Sequence, residues 1–456
     1  MKLFSVVFKM GQDDVYSSPR KAHQSAEVDI CYPMSRLKFR LGSIQEQLRE
    51  LSLFPSEVGL DFCVLGGAVY AADTRIKRLA HAQDGWSREI LVSVPVSDVD
   101  RWNEHKQHIE SMLRFLTGDH WSLEFRLRPH KYMELVKQDK PVLPIQQFSS
   151  INLFSGGVDS LVGAIDEFEK GNTPLLISHY GEGKSSVAQD NCFNGLKEKF
   201  QRSHVKRIGS SVSFEKKHFP WKENEEPTTR GRSFLFFALA AAAASAMPVA
   251  TPIIVPENGL ISLNIPLEPL RLGALSTRTT HPYYMKMWSE LVESMGVASR
   301  LYNPYQLKTK GEMLKECGDE ELLKTLLPVS VSCSNPTGSR FSQDSHNHCG
   351  HCMPCIIRRS AIAKAFSDDI TGYRLTDAEL RQRELNSRKA EGQNYRAFLY
   401  ALHKLASNPE AAHVLIHKSG PLDGSYDELS GYVDLYRRGM WEVKEFVTGV
   451  RTRPFK

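Results

Sequence analysis

The chain has 456 residues, 41% of them hydrophobic and 24% charged, an ordinary globular composition that excludes wholesale disorder. At about 150 residues per domain, two or three domains are expected, large enough to bury cores without disulfides. The 58 Lys and Arg against 53 Asp and Glu leave a net charge of +5 over the whole length, too thin a surplus to argue nucleic-acid binding.

No run reaches the roughly 18 apolar residues of a membrane span. The nearest, Ser233 to Met247, is shorter and follows Arg230 and Arg232. The opening MKLFSVVFKMGQDD lacks the length and the small-residue cleavage site of a signal peptide. A cytoplasmic protein with no membrane partner is expected.

Residues 1–145 read as a β-rich or α+β module. Leu3 to Phe8 and Ile90 to Val96 suit strands, and Asn103 to Leu116 suits a helix closed by a Gly118-Asp119 turn. From Trp121 to Arg128, Trp121, Leu123, Phe125 and Leu127 alternate with Ser122, Glu124, Arg126 and Arg128, which predicts a half-buried antiparallel strand. Gly66-Gly67 has the look of a phosphate loop, but a bulge or turn is the simpler reading. The stretch from Gln138 to Ser149, with Pro141 and Pro144, predicts a linker.

Strand and helix then alternate. Ile151 to Phe154, Pro174 to Ser178, Lys206 to Phe214 and Ile253 to Val255 are predicted strands. Leu161 to Glu169 and Gly231 to Met247 are predicted helices, the second carrying the run Ala240 to Ala244. Short apolar strands separated by helices predict an α/β fold with a parallel, Rossmann-like sheet. From about Asp368 the chain turns helical and polar, with a capping-box match at Thr376 and Glu379. Tyr395, Phe398, Leu399, Leu402 and Leu405 share one helical face, and Leu429, Tyr432, Val433, Tyr436, Met440 and Val443 another, as in a helical cap.

The most informative stretch is SINLFSGGVDSLVGAI. A strand ending at Leu153-Phe154 runs through Ser155, Gly156, Gly157, Val158, Asp159 and Ser160 into a helix. The glycines let backbone N–H groups approach a phosphate, and the helix N-terminus adds the positive end of its dipole. Ser155 and Ser160 supply hydroxyls; Asp159 either braces the loop through backbone N–H groups or helps hold Mg²⁺. The pattern is not G-x-x-x-x-G-K-[ST], which disfavours a Walker NTPase. It resembles the PP-loop of ATP pyrophosphatases, which implies ATP binding and adenylation: attack of an oxygen on the α-phosphorus with release of pyrophosphate.

Of eight cysteines, Cys31, Cys63, Cys192 and Cys317 are scattered, whereas Cys349, Cys352 and Cys355 crowd together downstream of Cys333. Clustering in a long chain points to metal. Four thiolates close a tetrahedral structural zinc site, stapling the loop after Cys333 to the helix near Cys355. An iron–sulfur cluster is the alternative, as is replacement of one sulfur by His346, His348 or His351.

The two signals in this order resemble the 7-cyano-7-deazaguanine synthases, the QueC-like family, over about residues 150–365. LLISHYGEG resembles the family's tyrosine–glycine turn, TTRGRSFLFFALAAAAA its arginine-led helix, and KTKGEML its lysine and glutamate before the cysteines. The resemblance implies that His179 joins the loop residues from Leu153 to Ser160 in binding ATP. It implies that Asp159, Ser160, Arg230 and Lys310 act in catalysis, and that Tyr180 and Arg232 meet the substrate. The departures are residues 1–145, residues 366–456, a longer gap between Cys333 and Cys349, and the runs VPENGLISLNIPL and STRTTHPYYM. With them the layout resembles QueC-like proteins of bacterial anti-phage islands, the Qat type. That implies adenylation of a deazaguanine carboxylate and its transfer to an amine, of a partner protein rather than ammonia. Glu257, Asn258, Arg278 and His281 are then candidates for an altered substrate pocket, with His281 either taking the amine proton or merely forming a His-Pro turn. A tRNA-modifying PP-loop enzyme and a subunit binding ATP only structurally remain alternatives. The former is disfavoured by the near-neutral charge and the lack of an aromatic-basic stripe, the latter by the intact Ser155, Asp159 and Ser160.

Overall fold

The computed structural model describes residues 2–31, 41–82, 85–136, 147–180, 184–201, 204–221, 225–226, 228–268, 278–334, 348–366 and 368–454. The expected linker lies largely outside these residues, as do His346 and Gly181.

The first sheet contains β1 (Leu3–Lys9), β2 (Gln24–Asp29), β3 (Glu89–Val96) and β4 (His120–Leu127) in the order β2-β1-β3-β4. Every pairing is parallel. The module also carries helices α1 (Leu41–Glu50), α2 (Glu57–Arg75), α3 (Arg78–His81), α4 (Val99–Glu104) and α5 (Lys106–Thr117). The expectation of an antiparallel, β-rich or α+β module is therefore corrected to α/β. The helical connection α4–α5 between β3 and β4 returns the chain to run parallel. The alternation along β4 reports one-sided burial of an edge strand, with Leu127 exposed at its end, and carries no information about direction. Gly118 takes the expected turn, at φ 76°.

Gly66 and Gly67 form neither bulge nor loop but lie inside α2. The reason is a close helix crossing. A Cβ on Gly66 would stand 2.8 Å from Ala238 Cβ and 3.2 Å from Leu235 Cα, both on α8 (Arg232–Ser245). Gly59, earlier in α2, meets Ala242 and Ser245 of the same α8, whereas Gly67 faces Leu41 of α1, so α2 is pressed between two helices. Through it, a single hydrophobic core extends from the first sheet to one face of the second.

That second sheet has β5 (Ser150–Leu153), β6 (Pro174–His179), β7 (Lys206–Ser210), β8 (Ile253–Ile254) and β9 (Leu301–Tyr302) in the order β7-β6-β5-β8-β9, all parallel. Helices α6 (Val158–Glu169) and α7 (Lys184–Lys199) cover one face, while α8 and α10 (Pro282–Ser294) cover the other. Leu175 and Ile177 face α8, whereas Leu176 faces α6 and α7, as the period of a strand buried on both sides requires. The expected doubly wound, Rossmann-like arrangement is present. Its topological switch lies at β5, whose neighbours are reached by crossovers on opposite sides, so the carboxyl ends of β5 and β8 frame the natural ligand crevice.

The short helices α9 (Gly259–Leu263), α11 (Lys310–Lys315) and α12 (Glu320–Leu326), and then α13 (Met353–Ala365), complete this part. The C-terminal region adds α14 (Asp377–Gln382), α15 (Ala390–Ser407), α16 (Ala412–Leu415) and α17 (Tyr426–Val447), plus a two-stranded parallel ribbon of β10 (Leu385–Asn386) and β11 (Thr452–Arg453). Thr376 and Glu379 form the expected capping box. Both predicted apolar faces are buried or half-buried against α9 and the start of α13. No helix among the described residues is long and apolar enough to cross a membrane.

Candidate active site

The loop between β5 and α6 turns at Gly156, whose φ of 77° favours glycine and whose added Cβ would stand 2.8 Å from the Gln189 amide. Ser160 Oγ accepts from the Ser155 amide at 3.2 Å and donates to the Gly157 carbonyl at 3.0 Å, which fixes the loop's curvature. As at any helix start, the first amides of α6 have no intrahelical acceptor, and they carry the positive end of its dipole. Ser155 is exposed at the mouth. Leu153 and Phe154 are buried beneath it, the Phe154 carbonyl accepting from Ser178 Oγ at 2.8 Å.

Asp159 is buried at the head of α6, bonded to groups just beyond β8 and at the start of α11. Lys310 Nζ lies 2.6 Å from its Oδ1; the Asn258 amide and Asn258 Nδ2 donate to Oδ2 at 3.0 and 2.7 Å. Burial alone would raise its pKa, but Lys310 and these hydrogen bonds hold it below the usual carboxylate range. Glu257 hydrogen-bonds Asp159, and burial together with that neighbouring charge pushes its own pKa well above the usual value. The pair is thus biased toward a neutral Glu257 and an ionised Asp159, the latter balanced by Lys310. Asn303, just beyond β9, clamps Glu257 by accepting from its amide at 3.3 Å and donating to its carbonyl at 2.8 Å. Lys310 itself opens α11, where Thr309 and Glu312 form a capping box.

A second group sits at the end of β6. Arg232 Nε donates to His179 Nδ1 at 3.2 Å, and a second guanidinium nitrogen donates to the His179 carbonyl at 3.2 Å. Burial and the adjacent Arg232 push the His179 pKa down to about 3. Its ring is therefore neutral, with the proton on Nε2, a buried atom that has no hydrogen-bond partner among the described residues. Gln189 ties this group to the loop by donating to both the Ser155 and His179 carbonyls, at 3.2 and 3.3 Å. Neutral donor and guanidinium together suit an anion or a polar ring next to the loop.

The remaining candidates lie elsewhere. Arg230 donates to the Thr117 carbonyl at 2.8 Å and stacks over Trp86, in the N-terminal module. Arg278 donates to the Phe115 carbonyl at 3.1 Å, and His281 packs on the same Phe115 ring while capping α10. Burial, reinforced by Arg278, pushes the His281 pKa down to about 3. Tyr180 lies over Gly209 at the β7 edge, with Arg207 against its ring. Sequence reasoning missed Gln189 and Ser332. It also missed Asn303, which its position after a parallel strand could have flagged.

The sulfurs of Cys333, Cys349, Cys352 and Cys355 all lie within 4.8 Å of one another, and no histidine joins them among the described residues. Cys333 and Cys352 are 3.8 Å apart, and Cys349 and Cys355 3.9 Å. A tetrahedral ion with metal–sulfur bonds of about 2.3 Å separates its sulfurs by about 3.8 Å, so the quartet fits a metal such as zinc and is far too open for disulfides. Gly350, at φ 80°, makes the turn between Cys349 and Cys352. Its carbonyl accepts from Arg359 at 3.1 Å and from Tyr395 Oη at 2.9 Å, so α15 braces the knuckle. The segment entering Cys333 lies on the loop: the Val331 amide donates to the Gly156 carbonyl at 2.9 Å, and Ser332 Oγ accepts from the Val158 amide at 3.5 Å. The cysteine quartet and the loop are therefore mechanically joined.

No protein-family model matches this chain, and no curated protein matches it.

Proposed function

We propose that the chain is an ATP-dependent carboxylate–amine ligase that forms an acyl-adenylate and releases AMP and pyrophosphate. The observation that carries this reading is the ionised Asp159, held by Lys310 and Asn258 behind a glycine-turned loop at the sheet's switch point. The loop amides and the α6 N-terminus suit the phosphates of ATP. A substrate carboxylate oxygen bonds to the α-phosphorus as the bond to the departing pyrophosphate oxygen breaks; an amine nitrogen then displaces AMP from the acyl carbon and loses its proton. Lys310 offsets charge developing on the phosphates, and Arg232 beside His179 suits the incoming carboxylate. Asp159 and, once it gives up its proton, Glu257 would hold Mg²⁺, which supplies charge neutralisation on pyrophosphate. Zinc at the cysteine quartet would be structural.

The resemblance supplies the finer identities: a deazaguanine carboxylate as substrate, a partner protein's amine as acceptor, and an anti-phage role. The test is product analysis with ATP, Mg²⁺, 7-carboxy-7-deazaguanine and candidate amines. AMP and pyrophosphate should form, and Asp159→Ala should abolish both in protein that still holds its metal and still melts cooperatively, though at lower temperature. Formation of ADP instead would overturn the reading.

A further inference from the structure

A cavity of about 430 Å³ lies between α9, the cysteine knuckle and the C-terminal helices. Its size falls in the range of small-molecule sites, about 300–1,000 Å³. Two of its lining residues lie close in sequence to groups that bond the β5–α6 loop and the head of α6. Leu260 lines it two residues beyond Asn258, which holds Asp159. Ser334 lines it two residues beyond Ser332, which meets the Val158 amide. Two residues of chain span at most about 7 Å, so the cavity adjoins the site of α-phosphorus chemistry.

The lining determines what fits. Ile261, Ile357 and Met353 line it together with Phe398 of α15 and Tyr436 and Met440 of α17. Asn264, Gln393 and Asn394 bring amide groups, and Cys352 brings one sulfur of the cysteine quartet; among the described residues no Lys, Arg, His, Asp or Glu lines it. Such a surface rejects phosphates and carboxylates, whose desolvation nothing there would offset, and accepts a flat, uncharged ring with hydrogen-bonding edges. ATP has its own anchor in the loop, and a partner's backbone would need exposed strand edges that this cavity does not offer.

We propose that this cavity binds the uncharged planar heterocycle of the substrate, leaving its carboxylate outside, toward the loop. The inference rests on the adenylation reading and goes beyond it by giving the C-terminal helices a role in substrate selection.

Met353 and Met440 allow a direct test. In full-length protein carrying ¹³C-methyl methionine, the uncharged bicycles indole and 7-deazaguanine should shift these two methyl signals. Met10 and Met112, in the N-terminal core, should stay still, and AMP should leave the cavity pair unmoved. Met440→Trp, which fills the cavity, should weaken probe binding at least tenfold without changing ATP affinity. Shifts confined to other methionines, or silence at millimolar probe, would overturn the proposal even if that variant fails to fold. AMP formation with both cavity methyls silent also defeats it. Methyl shifts in a protein that never forms AMP defeat the ligase reading and leave the binding site standing.

Discussion

Replacing Lys310 by Met leaves Asp159 buried beside Glu257 without the cation 2.6 Å away. Breaking a buried pair from one side typically costs about 3–5 kcal/mol. Here the cost has a ceiling, because Asp159 can take up a proton instead of remaining charged. From the ordinary carboxylate value of 3.8, protonation at pH 7 costs about 1.36 × 3.2, or about 4.4 kcal/mol. At pH 5 the same ceiling falls to about 1.6 kcal/mol. The sign follows from the shifts. In the wild type the folded pKa of Asp159 is depressed, so its stabilisation is present above 3.8 and lost as pH falls. In the variant the folded pKa is raised, so stability is highest at low pH and declines as pH rises. The deficit of Lys310→Met therefore grows from pH 5 to pH 7. At about 2–4 °C per kcal/mol, a cost of 3–4 kcal/mol lowers Tm by about 6–16 °C at neutral pH. Scanning calorimetry at both pH values measures this, and Asp159→Asn in the same chain should restore part of the loss. A deficit that is absent, or equal at pH 5 and pH 7, would refute the assignment of charge in this site.

Three further predictions follow from separate observations. Purified protein should contain about one zinc per chain by elemental analysis; Cys352→Ser should lose it and unfold at lower temperature, whereas iron with absorbance near 400 nm would reject zinc. Gly66→Ala should destabilise the chain by roughly 1 kcal/mol despite the better helix propensity of alanine, because overpacking against α8 costs more, and a gain in Tm would show that the crossing is looser than described. His179, at a pKa of about 3, should give imidazole NMR signals that stay flat from pH 8 to pH 5, and a midpoint near 6.5 would place its ring in water.

Much of the second sheet was legible because its main strands are short, apolar and separated by helices, which implies parallel direction; their order, and the two-residue β9, carried no such signal. The loop was legible for a related reason, since its residues are adjacent in sequence. The N-terminal module was misread where a pattern has two causes. Alternation at β4 arises at any edge strand, parallel or antiparallel. Paired glycines mark a turn in isolation, but here each admits a neighbouring helix, Gly66 the Leu235–Ala238 turn of α8 and Gly67 Leu41 of α1, partners that are far away in sequence. Arg230 and Arg232 illustrate the limit of motif transfer. Arg232 opens α8 and reaches His179, whereas Arg230 lies two residues earlier, before the N-cap Gly231, and turns to Thr117.

The two regions outside the resemblance act on the site through the same device. Arg232 and Lys310 are each the first residue of a helix, α8 and α11, where amide N–H groups and the positive end of the dipole oppose a cation. Each start receives a buried carboxylate from outside the central domain. Asp73 of α2 accepts from the Gly231 amide at 2.7 Å and is itself held by Arg88 at 2.7 Å, in a fully buried network with Asp119. Glu442 of α17 accepts from the Gly311 amide at 3.0 Å and from Thr309 Oγ1 at 2.8 Å. The N-terminal module thereby fixes the helix that presents Arg232, and the C-terminal helices fix the one that presents Lys310. Neither carboxylate bonds to the loop. Both set the position of the cations that flank it, so the regions added around the central sheet belong to the site's electrostatics as well as to its surface.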